Sequence, residues 1–315
     1  LNDVRLTAAY AACRAIAKRE AKNFYYAFRV LPQHKSDAMC AVYAFMRKAD
    51  DLADDESMSI EARRDAMAVW TAAWRASRTN ATDDVVFIAL NDTQRRFGIS
   101  DDLLEQLVAG TTLDLESEPE GVRTLDLHDD EGRLRAVQIY ETFAGLHHYC
   151  YLVASVVGLV CIKIFGYDDR RAEQLAIDTG IAFQLTNILR DVREDVERGR
   201  IYISEDLFAE YGLDPQRMVS LTLVDAPSGK GLALLNAVEK HAQAMYRSGY
   251  ELIPMLDKDS RPAMRVLVRI YHRLLERIAA DPAAVFRERV SVPTGEKLMI
   301  LAGGAVGSLK ARVLG

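Results

Sequence analysis

Apolar residues recur at spacings of three and four along almost all of this 315-residue chain. A chain patterned in that way can bury them only by coiling into helices that share a core. Alternation with a period of two is scarce, so the predicted fold class is all-α. Helices are expected over 4–29, 34–55, 60–77, 84–97, 101–116, 132–164 with a break, 169–197, 229–256, 261–280 and 296–312. The breaks coincide with helix-stopping punctuation: Leu31-Pro32, the polar run 78–84, and the segments 118–132, 166–168, 226–231 and 257–262. None is long or biased enough to link separate domains, so residues 1–315 read as a single domain. With 50% hydrophobic residues the chain can bury a sizeable core.

Charge narrows the choice of partner. The net charge is -6, with charged residues spread along the sequence, which argues against a general nucleic-acid binder with its concentrated basic face. An anionic substrate must therefore meet a local cluster of cations. Cys13, Cys40, Cys150 and Cys161 stand singly in apolar helical contexts, without the pairing of zinc or redox sites, and read as reduced core thiols. The longest apolar stretch near an end, 298–309, is about half the ~20 residues of a spanning helix, so no membrane span is expected. The chain begins at Leu1 rather than Met, which leaves room for a preceding segment.

Two acidic stretches carry the chemistry. In the first, Tyr43, Arg47, Asp50 and Asp54 fall at offsets of 0, 4, 7 and 11, which is one stripe of a helix. Ala38, Ala41, Val42, Phe45, Ala49 and Leu52 occupy much of the other side. Alone, this stripe reads equally as a solvated acidic face, since carboxylates one turn apart repel only weakly when exposed. It lacks the alternating acids, turn glycine and distal glutamate of a calcium loop.

In the second stretch Gln184, Asn187, Asp191 and Asp195 stand at 0, 3, 7 and 11. Ile181, Phe183, Leu185, Ile188 and Leu189 surround its upstream half, so the polar stripe is expected to face the interior. Buried amides and carboxylates cost several kcal/mol unless hydrogen-bonded, paired or bound to metal. Cations between the two stripes would satisfy both. Oxygen ligands without nearby His or Cys select a hard ion, and magnesium takes one or two carboxylates together with water and phosphate oxygens. That chemistry points to a diphosphate substrate; a closed polar network is the alternative.

These residues resemble those of a known family. Asp50-x-x-x-Asp54 and Gln184-x-x-Asn187-x-x-Arg190-Asp191-x-x-x-Asp195 resemble the two motifs of squalene and phytoene synthases, and Gly199-Arg-Ile-Tyr202 is similar to the family pattern just downstream of the second. Asn23-Phe-Tyr-Tyr-Ala-Phe-Arg-Val-Leu-Pro32 resembles the family's N-terminal substrate segment, and Tyr149-Cys-Tyr-Leu-Val-Ala-Ser-Val-Val-Gly158 its mid-chain stretch. Tyr271 and Arg289 match positions that bind diphosphate in relatives. One departure stands out: Ala21-Lys22-Asn23-Phe24 replaces the usual Ser-x-Ser-Phe, removing hydroxyl contacts near the substrate.

The resemblance implies a class I isoprenoid synthase, a helical bundle around a central substrate cavity. It implies that Asp50, Asp54, Asn187, Asp191 and Asp195 hold magnesium, about three ions, against the diphosphates of two allylic substrates. Arg47, Tyr271 and Arg289, with Lys22 and Arg190 as weaker candidates, would donate to phosphate oxygens, and Gln184 would join the substrate site. Loss of diphosphate leaves an allylic cation. The second substrate's double bond attacks it, and a proton is lost as a cyclopropylcarbinyl diphosphate closes. Phe24, Tyr43 and Tyr149 are candidates for the pocket wall, and Tyr149 also for proton transfer; each is equally a core aromatic.

Two farnesyl diphosphates, giving presqualene diphosphate or squalene, are slightly favoured by the Tyr149-Cys stretch; two geranylgeranyl diphosphates, giving phytoene, are the alternative. A reductive step would call for NADPH, for which the chain carries no motif of its own. A terpene cyclase or chain-elongating synthase shares the carboxylates but not the full set of segments. A non-catalytic helical assembly factor, the reading from another class, predicts eroded acidic motifs, and here they are intact. The expected location is the cytoplasm, with transient contact at the inner membrane surface for lipid substrates. His147-His148 is not read as a metal site, because adjacent helical residues point about 100° apart. The Gly303-Gly304-Ala-Val-Gly307 run has no preceding strand and wrong spacing for a dinucleotide fold, and suggests a close helix contact instead.

Overall fold

The computed structural model describes residues 3–55, 57–116, 119–225 and 227–313, without the side chains of Lys22, Asn23, Asp114, Pro227 and 304–313. The periodicity resolves into helices α1 (Asp3–Glu20), α2 (Lys22–Phe28), α3 (Gln33–Ala53), α4 (Ile60–Ser77), α5 (Val85–Phe97) and α6 (Asp101–Thr112). A rod comes next, made of α7 (Phe143–Cys150), a π turn over Tyr151–Ser155, and α8 (Val156–Phe165). Then come α9 (Arg171–Arg190), α10 (Val192–Glu197), the short α11 (Glu205–Glu210) and α12 (Gln216–Val219), and α13 (Lys230–Leu252), α14 (Arg261–Ala280) and α15 (Thr294–Val313). Helix starts are capped as the side chains dictate: Ser59, Asp84, Ser100 and Thr142 each accept from a backbone N–H in the first turn.

Packing orients the two acidic stretches. On the outer side of α3, Phe45 stacks among Trp70, Trp74 and Phe87, with its ring centroid 4.8 Å from Trp70 and 5.1 Å from Trp74. Trp74 is fully buried, and removal of such a side chain costs about 3–5 kcal/mol. This cluster locks α3 with its other stripe turned inward. Helix α9 runs through the bundle against α7, α8, α13 and α14. It approaches the rod closely because Gly180 lacks a side chain: a Cβ there would lie 2.6 Å from the Ser155 Cα.

Three regions depart from the expectation. The helix predicted from 4 to 29 breaks at Ala21, and the bend turns Phe24 and Phe28 onto the cavity. The helix predicted from 169 to 197 breaks at Asp191, whose ψ of 11° interrupts it. The largest difference is a β-hairpin where a loop and the start of a helix were expected. Strand β1 (Val122–His128) pairs antiparallel with β2 (Leu134–Tyr140), and β2 pairs in parallel with β3 (Arg200–Ile201). The hairpin turn is made by Asp129, whose Oδ1 accepts from the N–H groups of Glu131 and Arg133, and by Gly132 at φ +77°.

The rod Phe143–Phe165 is long and apolar enough to cross a membrane by length and composition, although the expectation of no span considered only the chain ends. Its apolar faces have another explanation: they pack on α6 and α9 and wall the central cavity. Cys13, Cys40 and Cys150 are buried free thiols, and burial pushes Cys13 and Cys40 up to about 12. Cys161 instead turns onto the cavity. Gly303 faces open space, while Gly304 and Gly307 of the same run lie outside the described side chains.

Candidate active site

Two matching stripes enclose an apolar cavity of about 440 Å³. Met39, Val42, Tyr43, Met46, Arg47 and Asp50 of α3 line one side, and Ala176, Thr179, Gly180, Phe183, Gln184 and Asn187 of α9 line the other. Both sets follow offsets of 0, 3, 4, 7, 8 and 11. At about 1.5 Å per residue each stripe therefore tracks the cavity for ~16 Å. The charged and amide residues of both stripes gather at one end, with Tyr271 of α14 beside them; Met39 and Ala176 mark the other end.

The aromatic wall is continuous. Phe183 stacks on Tyr271 with centroids 4.4 Å apart, and Phe24 meets the same ring at 5.6 Å. Phe28 meets Tyr43 edge-on at 6.4 Å. Burial pushes the Tyr271 hydroxyl up to about 12, with the Arg190 guanidinium pulling the other way. It stays a neutral donor at the rim.

Beyond the rim lie the remaining acids, with Asp195 past the break at Asp191 and lining a separate small pocket with Arg200 and Tyr202. Asp50 is half-buried, and Asp54 lies exposed just past the last residue of α3, its N–H donating to the Asp50 carbonyl at 2.8 Å. Asp191 sits between two arginines: Arg190 forks onto both carboxylate oxygens, and Arg289 Nε stands 3.1 Å from Oδ1. Arg289 also reaches Glu194 at 3.3 Å. Burial, and then the Asp191 charge, push the Asp195 carboxyl up to about 7. Arg47 pairs with Asp51 at 2.6 Å, while its Nε is buried without a hydrogen-bond partner.

These residues fit a hard divalent cation shared with an anionic ligand. Asn187 donates from Nδ2 to Gln184 Oε1 at 3.3 Å, and its Oδ1 is buried with no hydrogen-bond partner. A buried acceptor left in that state costs about 1–3 kcal/mol, a cost that a cation or a donor would relieve. A cation would also lower the Asp195 carboxyl from its raised value. Among the described residues no three His, Cys, Asp or Glu side chains converge closely enough to hold an ion by themselves.

Not every predicted residue reaches the cavity. Tyr149 is buried in an aromatic trio outside it, 5.5 Å from Tyr140 and 5.1 Å from Tyr202, and its hydroxyl donates to Tyr202 at 3.2 Å. The hairpin builds this trio: the Gln138 N–H donates to the Gly199 carbonyl at 2.9 Å, holding Tyr202 against Tyr140. The side chain of Lys22 lies outside the described residues. Phe183 lines the cavity, and Lys35 lies one turn before its first α3 residue, positions the sequence pattern alone does not single out. Lys35 stands on the α3 stripe at offsets of 4 and 7 from Met39 and Val42, and a charge on an apolar stripe is the signal that marks it.

Known proteins are similar to this chain in sequence and fold. The squalene/phytoene synthase family model matches residues 17–296. The chain is 33% identical to the phytoene synthase of Mycobacterium tuberculosis over 303 residues, spanning 96% of this chain and 92% of that protein. The solved structure of a dehydrosqualene synthase in complex with a ligand matches with a TM-score of 0.75 at 26% identity, over 97% of this chain and 98% of that one. A squalene synthase from Alicyclobacillus acidocaldarius shares the fold with a TM-score of 0.73 at 21% identity, over 89% of this chain and 96% of that one. With an all-α bundle of class I isoprenoid synthase architecture, and with Asp50 of the first motif and Gln184 and Asn187 of the second lining its cavity, the chain belongs to the squalene/phytoene synthase family of head-to-head prenyltransferases.

Proposed function

We propose that this chain condenses two farnesyl diphosphates head to head into a cyclopropylcarbinyl diphosphate, using magnesium held by Asp50, Asp54, Asn187, Asp191 and Asp195. The observation that carries the reading is the apolar cavity whose charged and amide residues, Arg47, Asp50, Gln184 and Asn187, gather at one end, while Thr179, nearer the other end, donates from its hydroxyl to the Leu175 carbonyl. A tail with an anionic head can enter it in one orientation only. Depth favours the C15 tail: an extended chain advances about 1.2 Å per bond, so a C15 tail of roughly eleven bonds reaches ~13 Å and a C20 tail of roughly fifteen reaches ~18 Å. The stripes run ~16 Å.

Bound at the acidic residues, magnesium would supply Lewis acidity that stabilises the departing diphosphate. The chain's own groups do the rest. Arg47, Arg289 and the neutral Tyr271 hydroxyl donate to phosphate oxygens as the C1–O bond breaks, its electron pair leaving with the diphosphate. The faces of Phe24, Phe183 and Tyr43 shield the allylic cation from water and favour its charge. The second substrate's double bond then attacks C1, and loss of a C1 proton closes the cyclopropane. Tyr149, whose hydroxyl already bonds Tyr202, is placed among the residues that steady this end of the site rather than on the cavity wall.

The similarity to a phytoene synthase over nearly the whole chain favours a second reading, condensation of two geranylgeranyl diphosphates to phytoene. Incubation with magnesium and either substrate, with and without NADPH, separates the two by mass spectrometry. A C30 product supports the first reading, and its NADPH dependence tells squalene from presqualene diphosphate. A C40 product supports the second. No product and no diphosphate release from folded protein would overturn both.

A further inference from the structure

The closed end of the cavity is held by a group that the condensation chemistry does not use. Lys35 lies one turn before Met39 on α3, with its side chain 7% exposed. Its ammonium stands 2.8 Å from the Phe165 carbonyl, 2.9 Å from Asp257 Oδ2, 2.8 Å from Asp259 Oδ1 and 2.9 Å from Ser260 Oγ. One cation thus joins the start of α3, the end of α8 and the connection from α13 to α14. Those are the ends of the helices farthest from the acidic motifs.

Phe165 is the last residue of α8, so no helical N–H reaches its carbonyl. Lys35 and Ser260 supply the missing donors, Ser260 Oγ at 2.8 Å. The next residue, Gly166, adopts φ +80°, and its carbonyl accepts from the Asp257 N–H at 2.9 Å. A Cβ at Gly166 would fall 2.0 Å from Asp257 Oδ2, so a side chain there cannot coexist with this arrangement. The backbone of Phe165 is therefore clamped on both sides. Phe165 is 1% exposed to solvent and lines the cavity together with Met39, Leu252 and Met264.

We propose that Lys35 is a positioning residue that sets the depth of the cavity, and with it the length of prenyl tail that is accepted; the inference rests on the prenyl-diphosphate reading of the site. Without the ammonium, Asp257 and Asp259 lose the cation between them and the last turn of α8 loses a donor. Phe165 is then free to withdraw. The depth gained serves a C20 tail, which overruns the stripes, more than a C15 tail, which they already contain.

The test uses Lys35→Met, which keeps the alkyl stem, and Ser260→Ala, which removes only one of the two donors to the Phe165 carbonyl. Affinities for the non-hydrolysing C15 and C20 thiolodiphosphates are measured by calorimetry with magnesium, alongside turnover of the natural diphosphates. The C20-to-C15 affinity ratio is expected to rise about tenfold in Lys35→Met and about threefold in Ser260→Ala, the scale on which pocket size discriminates a few methylenes. Should Lys35→Met fail to fold, the Ser260→Ala ratio decides. A lowered Tm with an unchanged ratio means a structural staple and overturns the proposal. Wild-type protein that binds both analogues yet turns over neither substrate overturns the condensation reading instead, and the binding ratio still decides the role of Lys35.

Discussion

The two acidic stretches share one spacing and sit in opposite electrostatic settings. On α3 the motif runs off the helix end into solvent, with Asp54 exposed and Arg47 paired to Asp51. At the junction of α9 and α10, Asp191 is 16% exposed and held by Arg190 and Arg289, while Asp195 is raised to about 7 by burial and by its neighbour. The first stretch can meet a hydrated cation at little desolvation cost. The second holds its charge among arginines whose donors phosphate oxygens can share, since guanidinium forks suit both anions. The α9–α10 motif is thus tied into the fold through Arg190 and Arg289, whereas Asp54 of the α3 motif lies exposed at a helix end.

Substitution separates those roles, and the largest effect is expected at Asp191. Both Asp191→Ala and Asp54→Ala should lower kcat/KM by about 10²–10³ or more, the scale of removing one group that stabilises a developing anion. Their stabilities should differ. Asp191→Ala strands Arg190, itself 16% exposed, and should cost roughly 2–3 kcal/mol, below the 3–5 of a fully buried pair. Asp54→Ala should stay within about 0.5 kcal/mol, as exposed sites do. Urea unfolding without magnesium checks this; equal losses at both sites would erase the contrast.

Asp195 gives the next largest effect, and its sign is specific. Its folded carboxyl sits at about 7 against an ordinary 3.8. The folded state therefore keeps its proton while the unfolded state loses one. The favourable contribution is complete below pH 4 and is lost as pH rises through 7. The rise amounts to roughly 4 kcal/mol at most. Asp195→Asn should be more stable than wild type at pH 8 and indistinguishable from it near pH 4. With magnesium and a diphosphate the wild type should bind with release of a proton below pH 7, and the variant without it. Calorimetry in buffers of different ionisation enthalpy reads that proton.

How much of this was legible depends on the period of each segment. The helices ending at Ala53 and Arg190 hold a 3.6-residue pattern over several turns, so the facing of Arg47, Asp50, Gln184 and Asn187 onto one cavity could be read directly, whereas the break at Asp191 could not. The hairpin could not be read as easily. Its alternation survives only in Leu125, Leu127, Val137 and Ile139, too short a signal beside the strongly apolar run that begins at Phe143. Lys35 was missed because its partners at 165 and 257–260 are distant in sequence, and only the fold brings them together.

The placement of Tyr149 shows the same limit and leads to the smallest effect. Four residues separate it from Val153, so in an unbroken α-helix both would face the cavity. The π turn over Tyr151–Ser155 winds more residues into one turn and shifts that phase. Val153, Ala154 and Val157 line the cavity, while Tyr149 turns toward Tyr140 and Tyr202 beside the Gly199–Tyr202 segment just downstream of the second motif. Its hydroxyl thus bonds the segment just downstream of the second motif. Tyr149→Phe keeps the ring stack and removes the bond to Tyr202, so it should lower kcat about three- to tenfold, a loss of roughly 0.5–1.5 kcal/mol typical of one neutral hydrogen bond. Substrate KM should hold. A loss of 10³ or more, with a changed pH profile, would instead make the hydroxyl a direct proton carrier and bring Tyr149 into the reacting group.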